Sequence, residues 1–166
     1  MKYLYLLRHA KSSWAYPELS DFERPLNKRG KHDAPLMASV MMKNKIIPDV
    51  ILSSPATRAA MTAKTVVQIL RIEEDRLIFV NELYEASPSI LLNIIGRMDN
   101  QFHKLLVVGH NPGLTSLANI LSDHSVDNIP TAGLLGMRIN TTQWDRVDEK
   151  SGKFLFLETP KNRKSR

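Results

Sequence analysis

The sequence predicts an α/β protein, a three-layer α/β/α sandwich around a mostly parallel central sheet with an antiparallel edge strand. Three observations carry that expectation. Short unbroken apolar runs, such as residues 3–7 and 105–108, fit strands covered on both faces, because a strand with one wet face alternates. Segments of helical spacing separate these runs, giving the order β-α-β-α-β-α-β-α-β-β, which crossover connections fold into a largely parallel sheet. The last two strands follow one another across a polar turn at residues 145–152, so they are expected to pair antiparallel.

The opening strand begins at Tyr3 and stops abruptly at Arg8-His9. It delivers a cation and an imidazole to the carboxyl end of the sheet, the side on which open α/β sheets bind ligands; the plainer alternative is that they are the first solvated residues after a strand. A loop over residues 11–25 follows, containing Trp14, Tyr16, Pro17, Asp21 and Glu23, and ends in Arg24-Pro25-Leu26-Asn27. Asn27 is an N-cap behind the apolar Leu26. A helix to about Asn44 carries Ala34, Met37, Val40 and Met41 on one stripe, and Pro35 is expected to kink it or delay its start.

Residues 49–52 make a second buried strand. Ser54 as N-cap with Pro55 at the first helical position then starts a helix to about Leu70, with Arg58 in its first turn. Residues 76–80 read as a third strand leading into Asn81-Glu82-Leu83-Tyr84-Glu85-Ala86, and Ser87-Pro88 opens a helix to about Met98. Residues 104–109 form the clearest strand and release His110, with Asn111 and Pro112 starting a helix through Leu121. Residues 134–139 and 153–157 are the closing pair.

At 166 residues the chain fits one domain, assigned to residues 1–160, with a core that needs no staples. There is no cysteine, which excludes disulfides, thiolate metal sites and cysteine nucleophiles and is compatible with a reducing cytoplasm. The N-terminal apolar run is too short for a signal or membrane segment, so a soluble cytoplasmic protein without membrane attachment is expected. The net charge is +6, but Lys161, Arg163, Lys164 and Arg166 supply four of the cations and the remainder nets +2. Residues 161–166 therefore read as a basic, disordered, solvated tail, and a nucleic-acid partner is not expected.

Strand ends thus supply Arg8, His9, Arg58 and His110, Arg24 lies before a helix cap, and helix N-termini at Ser54-Pro55 and Asn111-Pro112 add partial positive charge. Convergent arginines and helix N-termini suit a tetrahedral oxyanion, of which phosphate is the commonest. A cationic surround lowers histidine pKa and keeps an imidazole neutral and nucleophilic, as attack by nitrogen on phosphorus requires. No histidine and carboxylate cluster is spaced for a metal.

Leu7-Arg8-His9-Ala10, Arg24-Pro25-Leu26, the run Ser-Ser-Pro-Ala-Thr-Arg-Ala-Ala-Met-Thr-Ala over residues 53–63, and Val108-Gly109-His110-Asn111-Pro112 resemble the histidine phosphatase superfamily, also called the phosphoglycerate mutase-like family. The Arg-His-Ala-Lys-Ser opening is most similar to its small phosphohistidine phosphatase branch, typified by SixA. The resemblance spans residues 3 to about 140 with the motifs in order. It implies that His9 is the nucleophile that becomes phosphorylated and that Arg8, Arg58 and His110 hold the phosphoryl oxygens. Arg24 would be a further phosphate or pocket contact, with Ser12 and Asn111 also on the substrate side. It implies neither metal nor cofactor. Glu82 resembles the proton-donor position of larger members, against the alternative of a simple loop carboxylate.

An imidazole leaving group, with a conjugate-acid pKa of roughly 6.5 against about 10 for tyrosine, departs with less help from an acid. The expected function is hydrolysis of phosphohistidine on a carrier protein. Its alternatives are the same chemistry on a small phosphomonoester and a non-catalytic phosphate-binding module. His32, His103 and His124 are expected to be exposed, and Met37, Met41 and Met42 to fill core and groove. Trp14 and Tyr16 are open to roofing the pocket, binding a protein substrate or packing the loop.

Overall fold

The apolar runs become strands β1 (Lys2–Arg8), β2 (Val50–Ser53), β3 (Leu77–Phe79), β4 (Lys104–Gly109), β5 (Leu134–Ile139) and β6 (Gly152–Glu158). The structure, a computed structural model, describes residues 1–164. One sheet takes all six strands in the order β3-β2-β4-β1-β5-β6. The first four pair parallel, whereas β5 runs antiparallel to both β1 and β6. The reversed strand therefore lies one place in from the edge, because the short β5–β6 connection turns the chain round again.

Helices α1 (Lys28–Lys43), α2 (Thr57–Leu70), α3 (Pro88–Gly96) and α4 (Gly113–Leu121) cover the sheet, and α5 (Pro160–Lys164) ends the described chain. The disordered tail was expected over residues 161–166; the first four of these continue α5, and residues 165–166 lie outside the described residues.

Alternation along the strands builds two cores. Leu4, Leu6, Leu105 and Val107 pack with Leu91 and Ile95 of α3 and Leu114 and Leu117 of α4. Tyr5, Leu7, Leu106 and Val108 point the other way, onto Met37 and Met41 of α1 and Ala63 and Val66 of α2. Full burial of each such leucine is worth roughly 1.5–3 kcal/mol, so β1 and β4, sandwiched on both faces, anchor the sheet.

This layering positions the site. From β1 the chain moves towards β3 with α1 and α2 on one face, then reverses direction and uses the other face for α3 and α4. Crossovers of one hand require that change of face when the direction of travel reverses. The two sets diverge from adjacent strands, β1 and β4, and open a crevice at their carboxyl ends.

Several element boundaries differ from the sequence expectations. Asn27 caps α1 by accepting from the Gly30 amide at 2.9 Å, and the helix passes through Pro35 with one intrahelical hydrogen bond forgone and no delayed start. Ser54 does not cap α2: its amide donates to the Val108 carbonyl at 3.0 Å, which keeps the chain extended beside β4, and Ala56 takes the cap position. The third strand shrinks to Leu77–Phe79 because Glu74–Arg76 forms a 3-10 turn ahead of it. Ser87 caps α3 as expected, accepting from Ile90 at 3.3 Å, but that helix ends at Gly96, two residues short of Met98. His32, His103, His124 and Met42 are exposed, while Met37 and Met41 are buried.

Candidate active site

His9 and His110 leave adjacent strands and meet with ring centroids 5.2 Å apart. Both are buried. The His9 amide donates to the Gly109 carbonyl at 3.1 Å, and the Ala132 amide spans the Arg8 and His9 carbonyls at 3.0 Å each. Backbone hydrogen bonds thus fix the strand ends that carry the two imidazoles.

The ring of His9 has a defined proton position. Its Nδ1 lies 2.7 Å from the Ala10 carbonyl oxygen, which can only accept, so Nδ1 carries the hydrogen and Nε2 presents the lone pair. Burial, opposed by that hydrogen bond and reinforced by His110, Arg58 and Arg8, lowers the His9 pKa to about 3. The Ala10 amide in turn donates to Thr62 Oγ1 at 3.0 Å, tying the residue after the histidine to α2.

His110 Nε2 lies 2.7 Å from Ser54 Oγ. That hydroxyl accepts from the Ala56 amide at 3.2 Å, and among the described contacts His110 Nε2 is the acceptor left for its own hydrogen. Ser54 therefore donates to Nε2, and the hydrogen of the neutral ring belongs on Nδ1. Among the described residues, His110 Nδ1 is buried without a partner, as is Arg8 Nε. Two buried donors left unpaired cost of the order of 1–3 kcal/mol each, a penalty that an anion accepting from them would relieve. Burial first, then Arg58, lowers the His110 pKa to about 4.

Arg8 is otherwise held by Nη1, which donates to the Ile129 carbonyl at 3.1 Å. Arg58 and Arg24 are buried and share one carboxylate: Asp21 Oδ2 accepts from Arg58 Nη2 at 3.0 Å and Oδ1 from Arg24 Nη1 at 2.9 Å. Arg24 also donates from Nε to the Ser13 carbonyl at 3.0 Å and from Nη2 to Ser12 Oγ. Its guanidinium stacks 3.3 Å from the Trp14 ring centroid, so loop packing engages a residue that remains 74% exposed.

These groups line one pocket of about 340 Å³, which Lys11, Ser12, Glu85, Asn111 and Thr131 also border. Asn111 spends its amide on the protein: Nδ2 donates to Asn128 Oδ1 and the Ile129 carbonyl, and Oδ1 accepts from Thr115. A larger groove of about 830 Å³ between α2 and β3 shares no residue with this pocket and contains no histidine. Among the described residues no group of three or more histidines, cysteines and acids could hold a metal ion.

Of the sequence-derived set, His9, Arg8, Arg58, His110, Arg24, Ser12 and Asn111 meet here. Glu82 does not. Leu83, 1% exposed, anchors the 3-10 turn Asn81–Leu83 in the core, which turns Glu82 outward to a separate depression beside Ser89 and Arg97. The carboxylates that reach the pocket are Asp21 and, at a left-handed φ of 53°, Glu85. Sequence reasoning also passed over Asp21, Tyr84 and the site role of Ser54. Asp21 stands three residues before Arg24, a spacing at which opposite charges meet in a turn, and Ser54 directly follows a strand, as His9 and His110 do.

The sequence profile described as the histidine phosphatase superfamily (branch 1) matches residues 4–87. An uncharacterised chloroplastic protein of Arabidopsis thaliana is 31% identical over 157 residues, covering 90% of this chain and 72% of that one. An uncharacterised protein of Mycobacterium tuberculosis is also 31% identical, over 93% of this chain and all of its own. Among solved structures, a candidate phosphohistidine phosphatase SixA from Agrobacterium tumefaciens superposes with a TM-score of 0.79 at 28% identity, covering 96% of this chain and 99% of that one. A protein histidine phosphatase SixA complexed with tungstate has a TM-score of 0.83 at 21% identity, covering 96% and 98%.

Proposed function

The chain belongs to the histidine phosphatase superfamily, and from that membership we propose that it hydrolyses phosphohistidine on a protein through a covalent phospho-His9 intermediate. The observation that carries this reading is the combination of a His9 ring with its Nδ1 hydrogen tied to Ala10 and two buried, unpaired donors, Arg8 Nε and His110 Nδ1, in the same pocket. Likeness to the SixA structures supports the substrate class.

In the first step the Nε2 lone pair of His9 attacks phosphorus and the bond from phosphorus to the substrate imidazole nitrogen breaks, the electron pair staying on that nitrogen and the ring, already protonated on its other nitrogen, leaving as neutral imidazole. The bond formed and the bond broken are both phosphorus to imidazole nitrogen, so this transfer is close to balanced and asks little of an acid. Water then attacks phospho-His9, the electron pair returns to Nε2 and inorganic phosphate is released. Arg8, Arg58 and His110 would stabilise the charge spread over the equatorial oxygens, with Arg24, Ser12 and Asn111 bordering the substrate side. These fixed donors need no metal in this reading. Residues 1–160 act as one unit in the cytoplasm, for which the cysteine-free composition is the support.

A second reading keeps the mechanism on a small phosphomonoester. It is favoured by Glu85 at the pocket, a carboxyl group able to protonate an alkoxide leaving group. Initial rates with a phosphohistidine carrier protein and with small phosphomonoesters, both in EDTA, decide between them. We expect kcat/KM to be higher for the carrier and unchanged by EDTA. A higher value for the monoesters overturns the substrate assignment, and activity restored only by a divalent metal overturns the arginine-based site.

A further inference from the structure

Asp21 is the acid nearest the phosphate-holding arginines, and its contacts are unusual for a surface carboxylate. It lies in the 3-10 turn Asp21–Glu23 with its side chain 44% exposed, so burial does not force it onto the arginines. Nevertheless it binds through three oxygens. Oδ1 accepts from Arg24 Nη1 at 2.9 Å, Oδ2 from Arg58 Nη2 at 3.0 Å and from the Tyr84 hydroxyl at 2.6 Å, and its main-chain oxygen from Arg58 Nη1 at 2.6 Å. Both terminal nitrogens of Arg58 are thus engaged by one residue, each keeping a second hydrogen for an oxyanion.

We infer that Asp21 is a built-in rival of the phosphoryl group, a positioning residue that holds Arg24 and Arg58 aligned in the empty site and weakens retention of the phosphate product. This rests on the phosphatase reading above. Inorganic phosphate left among Arg8, Arg24, Arg58 and Lys11 would leave slowly without an opposing charge. A fixed carboxylate hydrogen-bonded to both guanidiniums supplies it and weakens their pull on the departing product. Asp21 is unsuited to act as the acid: its hydrogen bond from Tyr84, ahead of those from Arg24 and Arg58, holds its pKa at about 2, so it has no proton to give near neutrality.

Titration calorimetry with inorganic phosphate, on the unchanged chain and on Asp21→Asn and Asp21→Ser, tests the inference, with product inhibition and steady-state kinetics alongside. Asn keeps an acceptor for the arginines but loses the charge, and Ser provides a second neutral variant. Loss of one nearby, partly screened charge is expected to tighten phosphate binding about tenfold in both variants, with kcat and KM falling together. Unchanged or weaker phosphate binding in the variants overturns the inference and leaves Asp21 a loop staple. Failure of the unchanged chain to bind phosphate overturns the oxyanion site itself, a separate result.

Discussion

At the scale of single residues, the two histidines are kept neutral by where they sit. His9 at about 3 and His110 at about 4 both lie below the ordinary value of about 6.5. Between those values the unfolded chain binds more protons than the folded one, so stability falls as pH drops from about 6.5 towards 3 and is indifferent to these groups above it. Each buried histidine costs on the order of 1 kcal/mol per pH unit in that window. Asp21 acts with the same sign, but only below about pH 4. In phosphate-free buffer we expect the melting temperature to fall steadily between pH 6 and 4, and imidazole NMR signals of His9 to show no midpoint above pH 5. A His9 midpoint near 6.5 would contradict the burial that keeps the ring neutral.

At the scale of elements, the site depends on how closely loops and helix starts approach one another. A Cβ at Gly113, the first residue of α4, would stand 2.1 Å from the Ala86 carbonyl oxygen, so only glycine lets α4 begin against the segment carrying Glu85. Gly113→Ala is expected to cost about 2–3 kcal/mol in urea denaturation, as overpacking against backbone does. A change within about 0.5 kcal/mol would contradict that approach. Elements were legible from sequence where local chemistry decides them: Asn27 and Ser87 cap as their positions suggest. Ser54 was misread as a cap, and the alternatives for Glu82 were left open, because the deciding contacts are tertiary. The Ser54 hydroxyl meets His110, and buried Leu83 sets the direction of Glu82. No glycine marked the left-handed backbone at Glu85 and Ala132 that shapes the pocket wall.

At the scale of the whole molecule, reversal of the winding direction at β1 and β4 gathers residues 8, 9, 58 and 110 at one edge. That convergence was readable because each residue lies at or just beyond the carboxyl end of a buried strand, and those ends share a side in a parallel sheet. The 11–25 loop was not readable, since its path is set by Asp21 meeting Arg58 and Tyr84 from distant parts of the chain rather than by any local period. In the proposed mechanism the assembled site carries a phosphoryl group on His9. The most direct measurement mixes the chain with a phosphohistidine carrier protein, quenches within milliseconds under alkaline denaturing conditions that preserve phosphohistidine, and locates the label by mass spectrometry. A transient phosphate on His9, absent in His9→Ala together with turnover, is the expected result. Turnover with no phosphorylated intermediate, or with phosphate on another residue, would contradict it.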